Sequence, residues 1–393
     1  MAGIGALIIA VGSGATLAAC GTSARPAAAA LPAQHPAGPA KPAAHAAPAS
    51  AAPAKRAHPR RHQALPRRMP AAGNPAGHAP LPSAARPADT SHPTRVIGHG
   101  TPASCTSKAV VAAVRAGGVI KFSCGPKPVT IVMRATAKVR NTSAQVVLDG
   151  GGKVTLSGGG KRRILYQDTC DKRQVWTTSH CQNQASPRLT VQNITFKDGN
   201  STGAHFDGGG GGAIFDRGGQ LKVINATFLG NRCDRTGPDL GGAAIRALSQ
   251  YRNRPVYVSR STFRGGVCSN GGALSSIGVS WVVLNSVMTN NRAIGRGANP
   301  ARPGTPGGGS GGAIYTDGDK YTVKVTGTLI HDNHANEGGG AIFFVSNDRT
   351  GTLTIKNSKL HHNPNAGFHT AGFPGIFFLG KGSHPVVINS TIN

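Results

Sequence analysis

A two-part phrase recurs through the second half of this chain, and repetition at such a period constrains the fold more than any other feature. Its first part is "GGAIFD" (211–216), "GGAAIR" (241–246), "GGALSS" (271–276), "GGAIYT" (311–316) and "GGAIFF" (339–344). Its second part follows each in turn: "LKVINATFLGN", "VYVSRSTFRGG", "WVVLNSVMTNN", "VKVTGTLIHDN" and "LTIKNSKLHHN". An earlier copy, "LTVQNITFKDGN", begins at Leu189, and "PVVINSTIN" closes the chain. Aligned on the large apolar residue, the copies put Phe196, Phe228, Phe263, Met288, Ile330, Leu360 and Ile392 in one column. The steps between them are 32, 35, 25, 42, 30 and 32 residues. Each unit holds short alternating runs rich in Val, Ile and Thr, broken by Gly and Asn, with no helical period. Such a unit cannot bury a face alone, but a stack of them can. The expected fold is therefore all-β, a single right-handed parallel β-helix with like positions about 4.8 Å apart on neighbouring coils.

Two details agree with stacking. Three residues before each large apolar residue stand Asn193, Asn225, Arg260, Asn285, Gly327, Asn357 and Asn389, and asparagine tolerates left-handed turns and can bond its neighbours in a ladder. Cys233 and Cys268 each lie five residues after their Phe, so adjacent coils would bring them within disulfide reach. With Cys105–Cys124 and Cys170–Cys181 paired by proximity, the six cysteines after Cys20 make three disulfides, as suits an exported protein.

The rest of the chain is of another kind. "GIGALIIAVGSGATLAAC" is apolar, too short and glycine-rich for a membrane span, and its "LAAC" ending resembles the lipobox of bacterial lipoproteins. That resemblance implies a signal over residues 1–20 and lipid on Cys20. No Lys or Arg precedes the apolar run, so an ordinary secretory signal is the alternative. Residues 21–92 are Ala and Pro with scattered His, Lys and Arg. Without bulky apolar residues to bury, they are expected to form a disordered, extended linker. The folded domain is then 93–393, with 34 Lys and Arg against 13 Asp and Glu, a net charge of +21.

The "GGAI" and "FxxN" phrases resemble the repeats of polymorphic outer membrane proteins. The segment from "RAGGVIKFSCG" to "VVLDGGGKVTLSGGG" resembles the opening coils of bacterial pectate-lyase-like β-helix proteins, and "SCTSKAVVAAVRAGG" before it reads as a short capping helix. Together they cover roughly residues 101–393. Those families span adhesins, lyases, hydrolases and proteins without known activity.

A lyase of that kind implies acids for calcium, a base, and cations for the substrate's charge. The column ending the "GGAxx" strand reads Asp216, Arg246, Ser276, Thr316, Phe344; the next reads Arg217, Ala247, Ile277, Asp317, Val345. Neither puts acids on adjacent coils, which leaves a site assembled from loops: Asp207, Asp216 and Asp239 with Arg217 or Arg246. A second candidate is "IHDN" above "LHHN", where His331 is expected to stack on His361 and Asp332 on His362, with His334 nearby. Imidazoles beside a carboxylate suit metal or acid–base work, although polar turn residues give the same pattern. The glycine runs 208–212 and 307–312 lack the Lys-Ser/Thr of a phosphate loop. Loops on neighbouring coils carry Arg232, Arg235, Arg246, Arg252, Arg254, Arg292, Arg296 and Arg302, a set that attracts polyanions. The expected function is that of an exported, lipid-anchored or secreted monomer binding an anionic polysaccharide or cell-wall polymer, adhesin-like, rather than nucleic acid. The alternative is a polysaccharide lyase or glycoside hydrolase acting on an acidic glycan, with calcium only in the lyase case.

Overall fold

The computed structural model describes residues 71–393. The signal, Cys20 and the first part of the linker lie outside the described residues. The rest forms the expected parallel β-helix. From Gln220 to Leu379 each coil contributes two strands to a 17-stranded major sheet and one to an 8-stranded second sheet. The earlier coils of Gln145–Ser157 and Arg188–Lys197 each contribute one long strand to the major sheet, and three coils add a short strand to a corner sheet between the two. One coil shows the pattern: Gln220–Ile224, a bend, Thr227–Leu229, the corner at Arg232, then Ile245–Ala247.

The column of large apolar residues is in register from Phe196 to Ile392. Phe196, Phe228 and Phe263 stack with nearly parallel rings and centroids 5.2 and 4.7 Å apart, contacts that add to the burial of their area. The bend before this column takes a left-handed backbone at every copy, with φ from 46° to 62°, Arg260 and Gly327 included. Side-chain bonding along it is partial: Asn225 donates to Asn193 (2.7 Å) and Asn193 to Asp149 (3.0 Å). A second, buried ladder lies three residues after the apolar column. Asn291 Nδ2 donates to Asn333 Oδ1 (2.9 Å) and Asn333 Nδ2 to Asn363 Oδ1 (2.8 Å), and each also donates to a carbonyl of a neighbouring coil. These are the asparagines of the "FxxN" phrase and its variants, and the bonds satisfy the corner that every coil must turn.

The open end is covered as expected by α1 (Ser107–Ala116), whose N-cap Thr106 accepts from the Ala109 amide. Val110 and Val114 are fully buried against the first coil. All three disulfides pair as expected, with Cα separations of 5.7 Å (Cys105–Cys124), 5.0 Å (Cys170–Cys181) and 4.8 Å (Cys233–Cys268).

One expectation needs correction. The end of the 21–92 segment is docked as a strap along the left-handed bend, running against the direction of coil growth. Asn74 donates to the Gly327 carbonyl (2.9 Å), Ala79 exchanges two bonds with the Asn285 side chain (2.7 and 2.8 Å), and Ala85 accepts from Ser259 Oγ (3.0 Å). Ala88 pairs with Gln192, and Thr90 donates to Asp149 Oδ2 (2.7 Å). Ala79 and Ala85 are buried with Leu284. Leu81 is the one bulky apolar side chain the strap adds to this cluster; otherwise the groove supplies the hydrogen bonds, and small residues let the backbone approach.

Candidate functional site

Alternation decides which residues of the second sheet can meet a ligand. On its strand Ile314–Gly318, Ile314 and Thr316 face the core, so Tyr315 and Asp317 face outward. The strand Ile245–Ala247 presents Arg246 outward in the same way, two coils away. Loops from the corner side fold over this face and bring Asp239 and Asn299 to it. Asn299 Nδ2 donates to Asp239 Oδ1 (3.0 Å), to Asp317 Oδ2 (3.1 Å) and to the Tyr315 hydroxyl. Tyr315 also donates to Asp317 Oδ2 (3.2 Å). Arg246, only 2 % exposed, donates to Ser275 Oγ (2.5 Å) and to the Asp239 carbonyl (2.5 Å), while its Nε has no partner.

The electrostatics follow from burial. Desolvation raises the Asp317 carboxyl above its usual range, and Asp239 adds to the effect. Burial pushes the Tyr315 hydroxyl well up, helped by Asp317. The arrangement is one carboxyl group that holds its proton more tightly than a free aspartate, a second carboxylate across a shared amide, and a buried cation.

Of the residues expected at a site, Asp239 and Arg246 come together here. Asp216 does not. It pairs with Gln167 and Ala247 in a column that continues to Phe344 of the core, is fully buried, and accepts from Gln167 (2.8 Å) and Gln250. Burial raises its carboxyl well above the usual range. The register explains the error. "GGAAIR" has one more alanine before its Ile than "GGAIFD", so Arg246 aligns with Phe215 on the outer face and Ala247 with Asp216. Arg217 faces outward but is committed to Asp168 through two bonds (2.8 and 2.6 Å). Asp207 is likewise held by Arg163.

The histidines stack as expected: His331 lies over His361 with centroids 5.2 Å apart. His331 Nδ1 is 2.6 Å from Asp332, and His362 Nδ1 is 3.7 Å from it. The bond from His331 keeps the Asp332 carboxyl low; burial and then His331 lower His361. His334 sits in the corner sheet beside Arg292, lowered by burial and then by that cation. Among the described residues, no group of three or more His, Cys, Asp or Glu is placed to hold a metal ion.

The loop arginines divide between two corners. Arg232 and Arg292 flank Val267 in the corner sheet, two coils apart, with Arg235 and Arg296 exposed on the loops that follow. Arg252 and Arg254 lie on the opposite side of the second sheet, against the ring of Tyr251. Arg302 pairs with Glu337. Sequence reasoning missed Tyr315, Asp317 and Asn299 as a set. Alternation from Ile314 could have found the first two. Asn299 arrives on the longest insertion, which has no counterpart to align with.

A family described as right handed beta helix region matches residues 174–392. No curated protein and no solved structure matches the chain.

Proposed function

The chain belongs to the right-handed β-helix family, and from that premise we propose that it binds an anionic polysaccharide or cell-wall polymer along the corner carrying Arg232, Arg235, Arg292 and Arg296. What supports the reading is that these four side chains are exposed and, among the described residues, are in no ion pair. Arg232 and Arg292 project from one ladder at a spacing of two strand repeats, about 10 Å, which suits a ligand with charge repeated along its length rather than a single ion. In this reading the protein is exported, held by lipid on Cys20 at the end of its Ala/Pro arm, and acts as a monomer. Affinity electrophoresis through polygalacturonate, alginate and a polyol-phosphate polymer tests it. Retention should fall steeply with salt and drop at least tenfold in Arg232→Ala/Arg292→Ala/Arg296→Ala. Equal retention of that variant, or none on any polyanion, rejects the proposal.

A second reading, hydrolysis of an acidic glycan, is favoured by the pair Asp239 and Asp317. Both bond to one nitrogen, so those oxygens lie within about 6 Å of each other, and one carboxyl has a raised pKa, as an acid–base pair for glycoside cleavage requires. New reducing ends produced by the wild type and absent with Asp317→Asn would establish it.

A further inference from the structure

The capping helix has a second face that the fold leaves uncovered. Ser107, Val110, Ala113 and Val114 form its buried side. Lys108, Val111, Ala112, Arg115 and Ala116 recur at i, i+3, i+4, i+7 and i+8, a second helical stripe, apolar in the middle and cationic near both ends. This stripe faces Arg134, Ala135 and Arg140, which flank the short strand Ala137–Lys138, and between them lies an open cavity of about 590 Å³, within the size range of small-molecule sites.

The cavity is lined by four cations and no acid, and none of the four is in an ion pair among the described residues. Helix stability does not account for them all: Lys108 stands in the first turn, where the helix dipole disfavours a cation. Nor does the N-terminal segment or a second copy offer the counter-charge. Residues 1–70 hold eight Lys and Arg and no acid, and a second copy brings a net charge of +29. The occupant must be negative at one end and apolar over Val111, Ala112, Ala116 and Ala135.

We propose that this cavity binds a single anionic amphiphile: an alkyl or acyl chain lying on the helix stripe, with its phosphate or carboxylate head between Lys108, Arg115, Arg134 and Arg140. The volume suits one chain rather than a bilayer surface, so a monomeric molecule is the ligand.

Titration calorimetry with decyl phosphate below its micellar concentration tests this on the full chain, with decanol, inorganic phosphate and anionic phospholipid vesicles as comparators. Decyl phosphate should fill one site, at least tenfold more tightly than decanol or inorganic phosphate. Arg134→Ala/Arg140→Ala and, separately, Val111→Asp should each weaken it at least tenfold, while Arg264→Ala on the major sheet leaves it unchanged. All these positions are at least partly exposed; Val111 also packs against the core, so an unchanged Tm of Val111→Asp is required before its binding is read. Inorganic phosphate binding as tightly overturns the role of the apolar floor, and decanol binding as tightly overturns that of the cations. Binding to vesicles alone, or to both variants unchanged, overturns the site itself.

Discussion

Asn225 carries two tasks that a single substitution separates. It holds φ at 47° and bonds Asn193 on the coil before. Asn225→Ala should cost about 2–3 kcal/mol, from left-handed strain of about 1–2 and a lost hydrogen bond of about 1; Asn225→Gly should recover the strain alone. Guanidinium unfolding of both variants measures the split, and equal losses would refute it. Asp216 makes a different prediction. Its folded pKa lies above its unfolded one, so its contribution is complete below the ordinary carboxylate range and is lost as pH rises through the raised value. Asp216→Asn, which does not titrate, should therefore gain on the wild type as pH rises above the ordinary carboxylate range toward the raised value. Asp216→Ala should lose about 1–3 kcal/mol by stranding the amides of Gln167 and Gln250. A wild-type-minus-Asn difference in Tm that is flat with pH would count against this. The left-handed column was legible because its residue type recurs at a fixed offset from the apolar one. The inward aim of Asp216 was hidden only by where the copies were aligned. Anchoring them on Ile214 and Ile245 puts Asp216 on the core side and Arg246 outside.

The coils were readable as elements, whereas the strap was not. Strands announce themselves by alternating bulk, and paired cysteines at one offset fix their order. A strap of Ala, Pro, Gly and Asn that docks through backbone amides has the composition of an unfolded linker, and its partners Asn285, Ser259 and Gln192 lie more than a hundred residues away. Ala85 is fully buried, so Ala85→Arg has no room. It should release the strap without unfolding the coils, at a cost of about 1–3 kcal/mol. Hydrogen exchange at the Ala79 amide, which donates to Asn285 Oδ1, should then quicken at least tenfold while amides of the apolar column stay protected. Exchange unchanged at Ala79 would show that the strap contributes no protection there. Cys233→Ala/Cys268→Ala should cost about 3–4 kcal/mol, since the bridge closes a loop of 35 residues.

At the scale of the whole molecule, charge opposes folding. Residues 93–393 carry +21, and self-repulsion at low ionic strength should yield to screening. Tm should rise by a few degrees from 10 mM to 0.5 M NaCl, and polygalacturonate should give the same rise at far lower ionic strength; a Tm that falls with salt would remove charge as the cause. This scale also explains why the polar cluster of the second sheet escaped sequence reading. Asp239 and Asn299 come from loops of unequal length on different coils, and no column holds them, whereas stacking alone predicts the coils. The strap has a consequence in time. Asn74 bonds a carbonyl 253 residues later in the chain, beyond the earlier partners Thr262 and Asn285 that hold Gly73 and Asn74 through their backbone amides. A chain emerging from its N-terminus makes the strap first and cannot complete the bonds of its leading end until the coil of Gly327 has closed. Its earliest piece is then among the last to be fully bonded, tied to the closing of the fifth repeat copy.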